Sequence, residues 1–282
     1  MRIIRDIREM HAASRAARLQ GSSIGFVPTM GALHEGHISL VRRARTLANL
    51  VVVSIFVNPL QFGPAEDFTK YPRNLEADSA RLDAEGAEIV FAPSAAQMYP
   101  AGATTVVYVE GLSEKLDGCS RPGHFRGVST VVAKLLHIVQ PDFAVFGQKD
   151  AAQVAVLRRM LTDLNMEVQL IVSPIVRESD GLALSSRNAY LSAAERRQAL
   201  VLHRTLLQVE TLASSGHGSA QELRSAALAI LASEPAANLD YFEIVHPATL
   251  EPVADVAQGA LVAVAASFGN TRLIDNLLLP DR

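Results

Sequence analysis

His34 and His37 stand three residues apart with Gly36 between them, in the run Pro28-Thr29-Met30-Gly31-Ala32-Leu33-His34-Glu35-Gly36-His37. That spacing turns two imidazoles toward one side of a helix start, and the glycines let a ligand approach the backbone closely. A helix N-terminus offers unpaired N–H groups and the positive end of its dipole, so the chemistry that fits is anion binding, above all of phosphate. Either ring, neutral or charged, can donate to phosphate oxygens. Two other readings share these residues. His-Glu-Gly-His is one residue short of the His-Glu-x-x-His zinc helix and has no third ligand spaced nearby. A capping loop with two satisfied histidines has the same sequence.

Four further segments carry polar chemistry. Gly147-Gln148-Lys149-Asp150 brings a mobile positive charge, an acid able to cap a helix or accept from a ribose, and Gln153 one turn further on. A glycine turn with a solvated lysine is its plain alternative. Ser185-Ser186-Arg187-Asn188 sets hydroxyls beside a guanidinium, the makings of a polyphosphate clamp on a closing loop, or simply a turn with a helix cap. Residues 121–127 form a glycine-bordered loop with three potential cations, Arg121, His124 and Arg126, a composition suited to a lid or to a plain surface loop. Asn58 and Gln61 lie next to Leu60 and Phe62, a mixture suited to a small hydroxy or carboxylate substrate or to a buried capping amide. Neither a Walker P-loop nor a Gly-x-Gly-x-x-Gly dinucleotide signature occurs.

The elements that must position these groups alternate. Buried strands are expected at 24–27, 51–56, 89–91, 143–146 and 168–172, and helices at 36–48, 79–85, 127–139 and 150–164. Repeated alternation of this kind predicts an α/β fold, a Rossmann-like parallel sheet with helices on both faces. Three of the polar segments then fall just beyond the carboxyl end of a strand, where open α/β sheets place their ligands. After about residue 174 two helices, 193–213 and 220–232, precede strands at 241–245, 261–265 and 271–274, which predicts a smaller α+β C-terminal domain. The expected division is 1–175 for the Rossmann-like domain, binding nucleotide and substrate, and 176–282 for a domain closing over the active site.

Composition bounds the partners. With 49% hydrophobic and 20% charged residues in 282, the chain has ample material for a core. A net charge of −3 and the absence of Trp argue against a nucleic-acid surface. No apolar run approaches the roughly 18 residues of a membrane span and the start lacks a secretory signal, so the expected location is the cytosol. The single cysteine, Cys119, excludes an intramolecular disulfide and a multi-thiolate metal site, and is read as a bystander.

Taken in order and spacing, Pro-Thr-Met-Gly-Ala-Leu-His-Glu-Gly-His, Asn-Pro-Leu-Gln-Phe-Gly, Arg-Pro-Gly-His-Phe, Gly-Gln-Lys-Asp and Leu-Ser-Ser-Arg-Asn resemble the pantothenate synthetases, or pantoate-beta-alanine ligases, over residues 24–190. His-x-Gly-His alone would indicate only the wider nucleotidyltransferase superfamily. The resemblance implies an ATP-dependent ligase that joins pantoate to β-alanine through a pantoyl adenylate, releasing pyrophosphate and AMP. It implies that Met30, Gly31, Ala32, Leu33, His34, Glu35, Gly36 and His37 line the ATP site, with both histidines on the phosphates and His37 the candidate proton donor. Gly147, Gln148, Lys149 and Asp150 would hold the nucleotide, Lys149 on phosphate and Asp150 on ribose, and Val176 would contact adenine through its backbone. Leu184, Ser185, Ser186 and Arg187 would form a mobile phosphate-binding signature. His34, His37, Lys149, Ser185, Ser186 and Arg187 make up the catalytic set. Gln61 and Gln153 would bind pantoate, with Asn58 and Arg121 as further substrate contacts. Magnesium would bridge ATP phosphates, with Asp78 at the family's acidic position, and a homodimer through the first domain is expected. A nucleotidyltransferase acting on a phosphorylated acceptor and a non-catalytic nucleotide-binding module are the competing functions.

Overall fold

The computed structural model of the chain describes residues 1–64, 66 and 68–281. It falls into two compact units, Met1–Gly147 with Val156–Ser173, and Gln148–Ala155 with the chain from Pro174 onward. The short stretch Gln148–Ala155 clusters with the second unit although the chain on both sides of it belongs to the first.

The first unit holds β1 (Arg2–Ile4), α1 (Ile7–Leu19), β2 (Ile24–Thr29), α2 (Glu35–Arg45), β3 (Leu50–Ile55), α3 (Leu75–Ala84), β4 (Ile89–Phe91), the short α4 (Ala95–Met98) and α5 (Asp117–Ser120), α6 (His124–Val139) and β5 (Phe143–Gly147). Then come α7 (Ala151–Asp163), whose first turns fall in the second unit, and β6 (Gln169–Ser173). All six strands are parallel in the order β1-β4-β3-β2-β5-β6. Alternation along the strands fills both faces. Val27, Val51, Val53, Val90, Phe143 and Val145 pack with Ile38, Leu40, Val41 and Ala44 of α2 and Leu82 of α3. Ile24, Phe26, Val52, Phe91 and Phe146 point the other way and are equally buried, with α1 and α6 packed on β2. The chain order reverses between β2 and β5, and such a switch point is where an open α/β sheet leaves a crevice.

The second unit contains α8 (Ala193–Ser214), α9 (Ala220–Ala232) and the antiparallel sheet β7 (Asn238–Val245), β8 (Gln258–Phe268) and β9 (Thr271–Asp281), in the order β7-β8-β9. Leu202, Leu206 and Val209 of α8 and Leu223 and Leu231 of α9 close a core with Val262, Val264, Phe268, Leu273 and Leu279. Both helices start where the sequence says they should. Ser192 forms a capping box with Glu195, and the Ser219 hydroxyl accepts the N–H of Glu222.

Strands β7, β8 and β9 run longer than the pattern-based expectation, and three helix boundaries also differ from it. Helix α2 stops at Arg45 on a Thr46 cap, so Leu47, which the spacing assigns to its apolar face, is 40% exposed. Helix α3 begins at Leu75 under an Asn74 cap, earlier than residue 79, because Glu76 and Asp78 sit in its first turn and break the apolar period. Helix α6 begins at His124, not Gly127, after Gly123 in the left-handed region at φ 83°. Residues 124–127 are therefore the first turn of a helix and not part of a glycine-bordered lid. That turn is pressed on its neighbour: a Cβ on Gly127 would stand 2.2 Å from the Leu60 carbonyl oxygen.

Candidate active site

In the first unit the loop between β2 and α2 is held from below by α3. Asp78, 5% exposed, accepts the Ala32 N–H on Oδ2 at 2.9 Å and the Leu33 N–H on Oδ1 at 2.8 Å. Arg81, one turn along α3, donates to the Leu33 carbonyl. Gly31 at φ 85° and Ala32 at φ 51° give the loop a left-handed path, and a Cβ on Gly31 would meet Asp78 Oδ2 at 2.9 Å. Asp78, expected near the magnesium of ATP, thus has each of its oxygens on a backbone N–H of the loop. A nearly buried carboxylate with each oxygen on a backbone N–H is built as a strap for the loop. Among the described residues no group of three or more His, Cys, Asp and Glu side chains could hold a metal ion.

The strapped loop delivers the two histidines. His34 is the N-cap of α2, its Nδ1 accepting the Gly36 N–H at 3.1 Å, and Nδ1 of His37 accepts the His34 N–H at 3.3 Å. The ring centroids lie 4.1 Å apart. An Nδ1 that accepts from the backbone places the proton of a neutral imidazole on Nε2. Both rings are thus set as Nε2–H donors at the start of a helix, and the capping and anion-binding readings describe different edges of the same two rings.

A polar network ties this loop to the 58–61 segment. Gln61 Nε2 lies 3.0 Å from the Met30 sulfur, and Asn58 Nδ2 donates to Gln61 Oε1 and to the Gly127 carbonyl, each at 3.1 Å. Asn58 Oδ1 accepts from the Tyr99 hydroxyl at 2.7 Å and from the Leu60 N–H at 3.3 Å. Asn58 is 1% exposed with all four of its hydrogen-bonding positions used, so it is the buried amide under Gln61 and not a substrate contact. Burial pushes the Tyr99 phenol above its ordinary range, which keeps it a hydroxyl donor to Asn58.

Arg121 is likewise committed within the protein. Its guanidinium makes a bidentate pair with Glu66 at 2.8 and 2.6 Å, and Nη1 contacts His124 Nε2 at 3.0 Å. An arginine only donates, so His124 Nε2 accepts and Nδ1–H donates to the Gln61 carbonyl at 2.8 Å. Burial, helped by the Arg121 charge, lowers the His124 imidazole to about 4. Residues 121–127 therefore hold a neutral imidazole and a neutralised arginine that brace Gln61. The expected lid with three cations, and Arg121 as a substrate contact, give way to a frame.

In the second unit Gln148–Asp150 form a 3-10 turn at the start of α7. Gln148 Nε2 donates to Asn276 Oδ1 at 3.0 Å, and Asn276 Nδ2 donates to the carbonyls of Gln148 and Lys149 at 3.0 and 2.9 Å. Gln153 lies four residues beyond Lys149, on the same side of the helix start. The 176–188 segment folds back on itself. The Leu184 N–H donates to the Val176 carbonyl at 3.0 Å, Arg177 bridges Ala183, and Arg177 pairs with Asp275 at 2.6 and 2.9 Å. Ser185 Oγ accepts the Arg187 N–H at 3.2 Å, while Asn188 ties back to Glu178 at 3.0 Å and to the Ala183 carbonyl at 3.1 Å. Leu184, Ser185, Ser186 and Arg187 thus leave a braced base. Gly147 closes β5 in the first unit.

A sequence model of the family described as Pantoate-beta-alanine ligase matches residues 2–278. The chain belongs to the pantoate-beta-alanine ligase family. It is 63% identical to the pantothenate synthetase of Koribacter versatilis over 99% of this chain and 96% of that protein. The crystal structure of the pantothenate synthetase from Thermus thermophilus superposes with a TM-score of 0.93 at 49% identity, covering 98% of this chain and 99% of that one. A pantoate-beta-alanine ligase from Francisella tularensis, solved with beta-gamma ATP and beta-alanine, gives 0.81 at 33% identity, covering 99% of this chain and 97% of that one. Both likenesses run through the six-stranded parallel sheet and the three-stranded antiparallel one.

Within this pantoate-beta-alanine ligase fold, sequence reasoning had passed over Arg81, Tyr99 and Glu66, which support the expected site residues from elsewhere in the chain. Arg81 had a signal, since it lies one helical turn from Asp78. Asp275 and Asn276 had another, a polar pair inside the apolar run Leu273-Ile274-Asp275-Asn276-Leu277-Leu278-Leu279. Tyr99 had none. No helix among the described residues is long and apolar enough to cross a membrane.

Proposed function

We propose that the protein is a cytoplasmic ligase that condenses pantoate with β-alanine at the expense of ATP. The observation that carries this is the family match over residues 2–278. In the first step a pantoate carboxylate oxygen attacks the α-phosphorus of ATP, the bond from α-phosphorus to the bridging oxygen breaks, and pyrophosphate leaves with the electron pair. In the second, the β-alanine amine attacks the carbonyl carbon of pantoyl adenylate, the carbon–oxygen bond to AMP breaks, and the nitrogen loses a proton. Neither step needs a covalent enzyme nucleophile. Both need alignment and stabilisation of negative charge.

The roles follow the donor chemistry. Nε2–H of His34 and of His37 donate to phosphate oxygens from the α2 N-terminus, with His37 giving a proton where charge develops. Met30, Gly31, Ala32, Leu33, Glu35 and Gly36 line the nucleotide through the strapped backbone. Lys149 neutralises phosphate, Asp150 accepts from the ribose, and Gly147 and Gln148 shape that turn. Val176 contacts adenine, Leu184, Ser185, Ser186 and Arg187 bind the phosphates, and the hydrolysable adenylate requires that water be kept from it. Gln61 and Gln153 bind pantoate. Magnesium enters as the counter-ion of the ATP phosphates, with no carboxylate of this chain assigned to it. The working form is a homodimer formed through the first unit, which light scattering tests directly.

The decisive experiment is label exchange between pyrophosphate and ATP in the presence of pantoate and magnesium, without β-alanine. Pantoate-dependent exchange is expected. Folded protein that gives none would overturn the adenylate mechanism.

A further inference from the structure

Asn276 is 3% exposed in the middle of an apolar strand, where an amide without partners would cost more than a leucine. It does not lack them. Its Nδ2 donates to the carbonyls of Gln148 and Lys149, and its Oδ1 accepts from the Gln148 side chain. All three bonds converge on one turn that lies 127 residues away in sequence at Lys149. The two carbonyls belong to the 3-10 turn that opens α7, so they fix the backbone from which the Lys149 side chain starts.

The strand is a firm reference for that turn. Successive residues of a strand point to opposite faces, so Asp275 and Asn276 reach opposite sides of the sheet. Asp275, also 3% exposed, takes both nitrogens of the Arg177 fork, and its Oδ1 accepts the Asn276 N–H at 2.8 Å. Arg177 in turn donates to the Gly181 carbonyl at 3.1 Å. A short stretch of β9 thus grips the base of the 176–188 segment on one face and the Lys149 turn on the other.

We propose that Asn276 is a positioning residue: it sets the backbone of the Lys149 turn so that the ammonium meets a phosphate at fixed geometry. This rests on the ATP-dependent ligase reading above. A flexible lysine needs a fixed root, since a displacement of about 1 Å in a charge-stabilising group can cost about a hundredfold in rate.

The test is Asn276→Leu, of nearly the same shape, and Asn276→Asp, which keeps one acceptor and loses both donors. In hydrogen exchange, Asn276→Leu should speed exchange in peptides covering 147–153 and leave those of β7 and β8 unchanged. In pyrophosphate exchange it should raise KM for ATP and slow adenylate formation about tenfold or more, with KM for pantoate within about twofold. In a Lys149→Ala background the further loss should shrink to about twofold or less, because the group being positioned is gone. Unchanged exchange at 147–153, or a full additional loss on top of Lys149→Ala, overturns the proposal. If Asn276→Leu does not fold, Asn276→Asp carries the same three measurements. A wild type without pantoate-dependent exchange fails the ligase reading alone, and the hydrogen-exchange result still decides whether Asn276 holds the turn.

Discussion

The backbone N–H of His34 donates to Nδ1 of His37 at 3.3 Å, so one histidine is held by the residue that begins the turn it completes. This gives His37 separable edges, Nδ1 for the cap and Nε2 for the phosphate contact that the proposed function assigns to it. Asparagine imitates the first and glutamine reaches toward the second. His37→Asn should keep most of the thermal stability and lose adenylate formation by about 10²-fold or more, as removal of a charge-stabilising donor does. His37→Gln should retain more activity and lose about 1 kcal/mol, the worth of a cap. Thermal melts beside pyrophosphate exchange read both, and equal effects of the two variants on both quantities would refute the division.

Asp78→Asn separates a strap from a metal ligand. The amide keeps one acceptor oxygen for two backbone donors and turns its NH2 on the other, so a loss of about 1–3 kcal/mol in stability is expected with a lower rate of adenylate formation. The magnesium concentration giving half-maximal rate should not move. A marked rise in that concentration at unchanged stability would restore Asp78 as a ligand of the metal.

Much of this was legible locally. The Val51-Val52-Val53 run announces a buried strand, and Ser192 and Ser219 announce the helices they cap, because each signal lies within a few residues of its effect. The histidine pair at a helix start was readable for the same reason. What the sequence hid is long-range polar pairing. Nothing near Asn58 indicates that the Tyr99 hydroxyl, 41 residues on, will occupy its oxygen, and nothing near Lys149 points to Asn276. An isolated amide reads identically whether it faces a substrate or a buried carbonyl. The start of α3 was hidden by a related conflict, since Asp78 occupies a first-turn position for the sake of the loop and not of the helix.

His124 predicts a pH dependence of stability. Its folded imidazole titrates near 4 against an ordinary value of 6.5. Between those values the unfolded chain binds a proton that the folded protein refuses, so stability falls as pH drops from about 6.5 to about 4 and this contribution levels off below. The shift sets an upper bound of about 3 kcal/mol. Urea melts at a series of pH values should show that slope, and His124→Asn should flatten it while lowering stability at pH 7 through the lost contact with Arg121. A slope in the variant equal to that of the parent would assign the effect to other groups.

Asn58 and Gln61 are bonded to each other, yet they should answer differently to truncation. Asn58→Ala strands the Tyr99 hydroxyl and leaves a space under Gln61, while the Gly127 carbonyl keeps its place in the α6 ladder; an orphaned polar group costs about 1–3 kcal/mol, so a fall in stability is expected. Gln61→Ala leaves those partners satisfied, because Asn58 still bridges Gly127 and Tyr99. Its main cost should appear in binding, as a KM for pantoate raised about tenfold or more with little change in KM for ATP, beside a fall in stability smaller than that of Asn58→Ala, since one Asn58 Nδ2 hydrogen loses its acceptor on Gln61. Melting temperatures and the two KM values together make the test. A Gln61→Ala protein with unaltered pantoate dependence would move the acid-binding role away from Gln61, and Gln153 would then be the residue to truncate next.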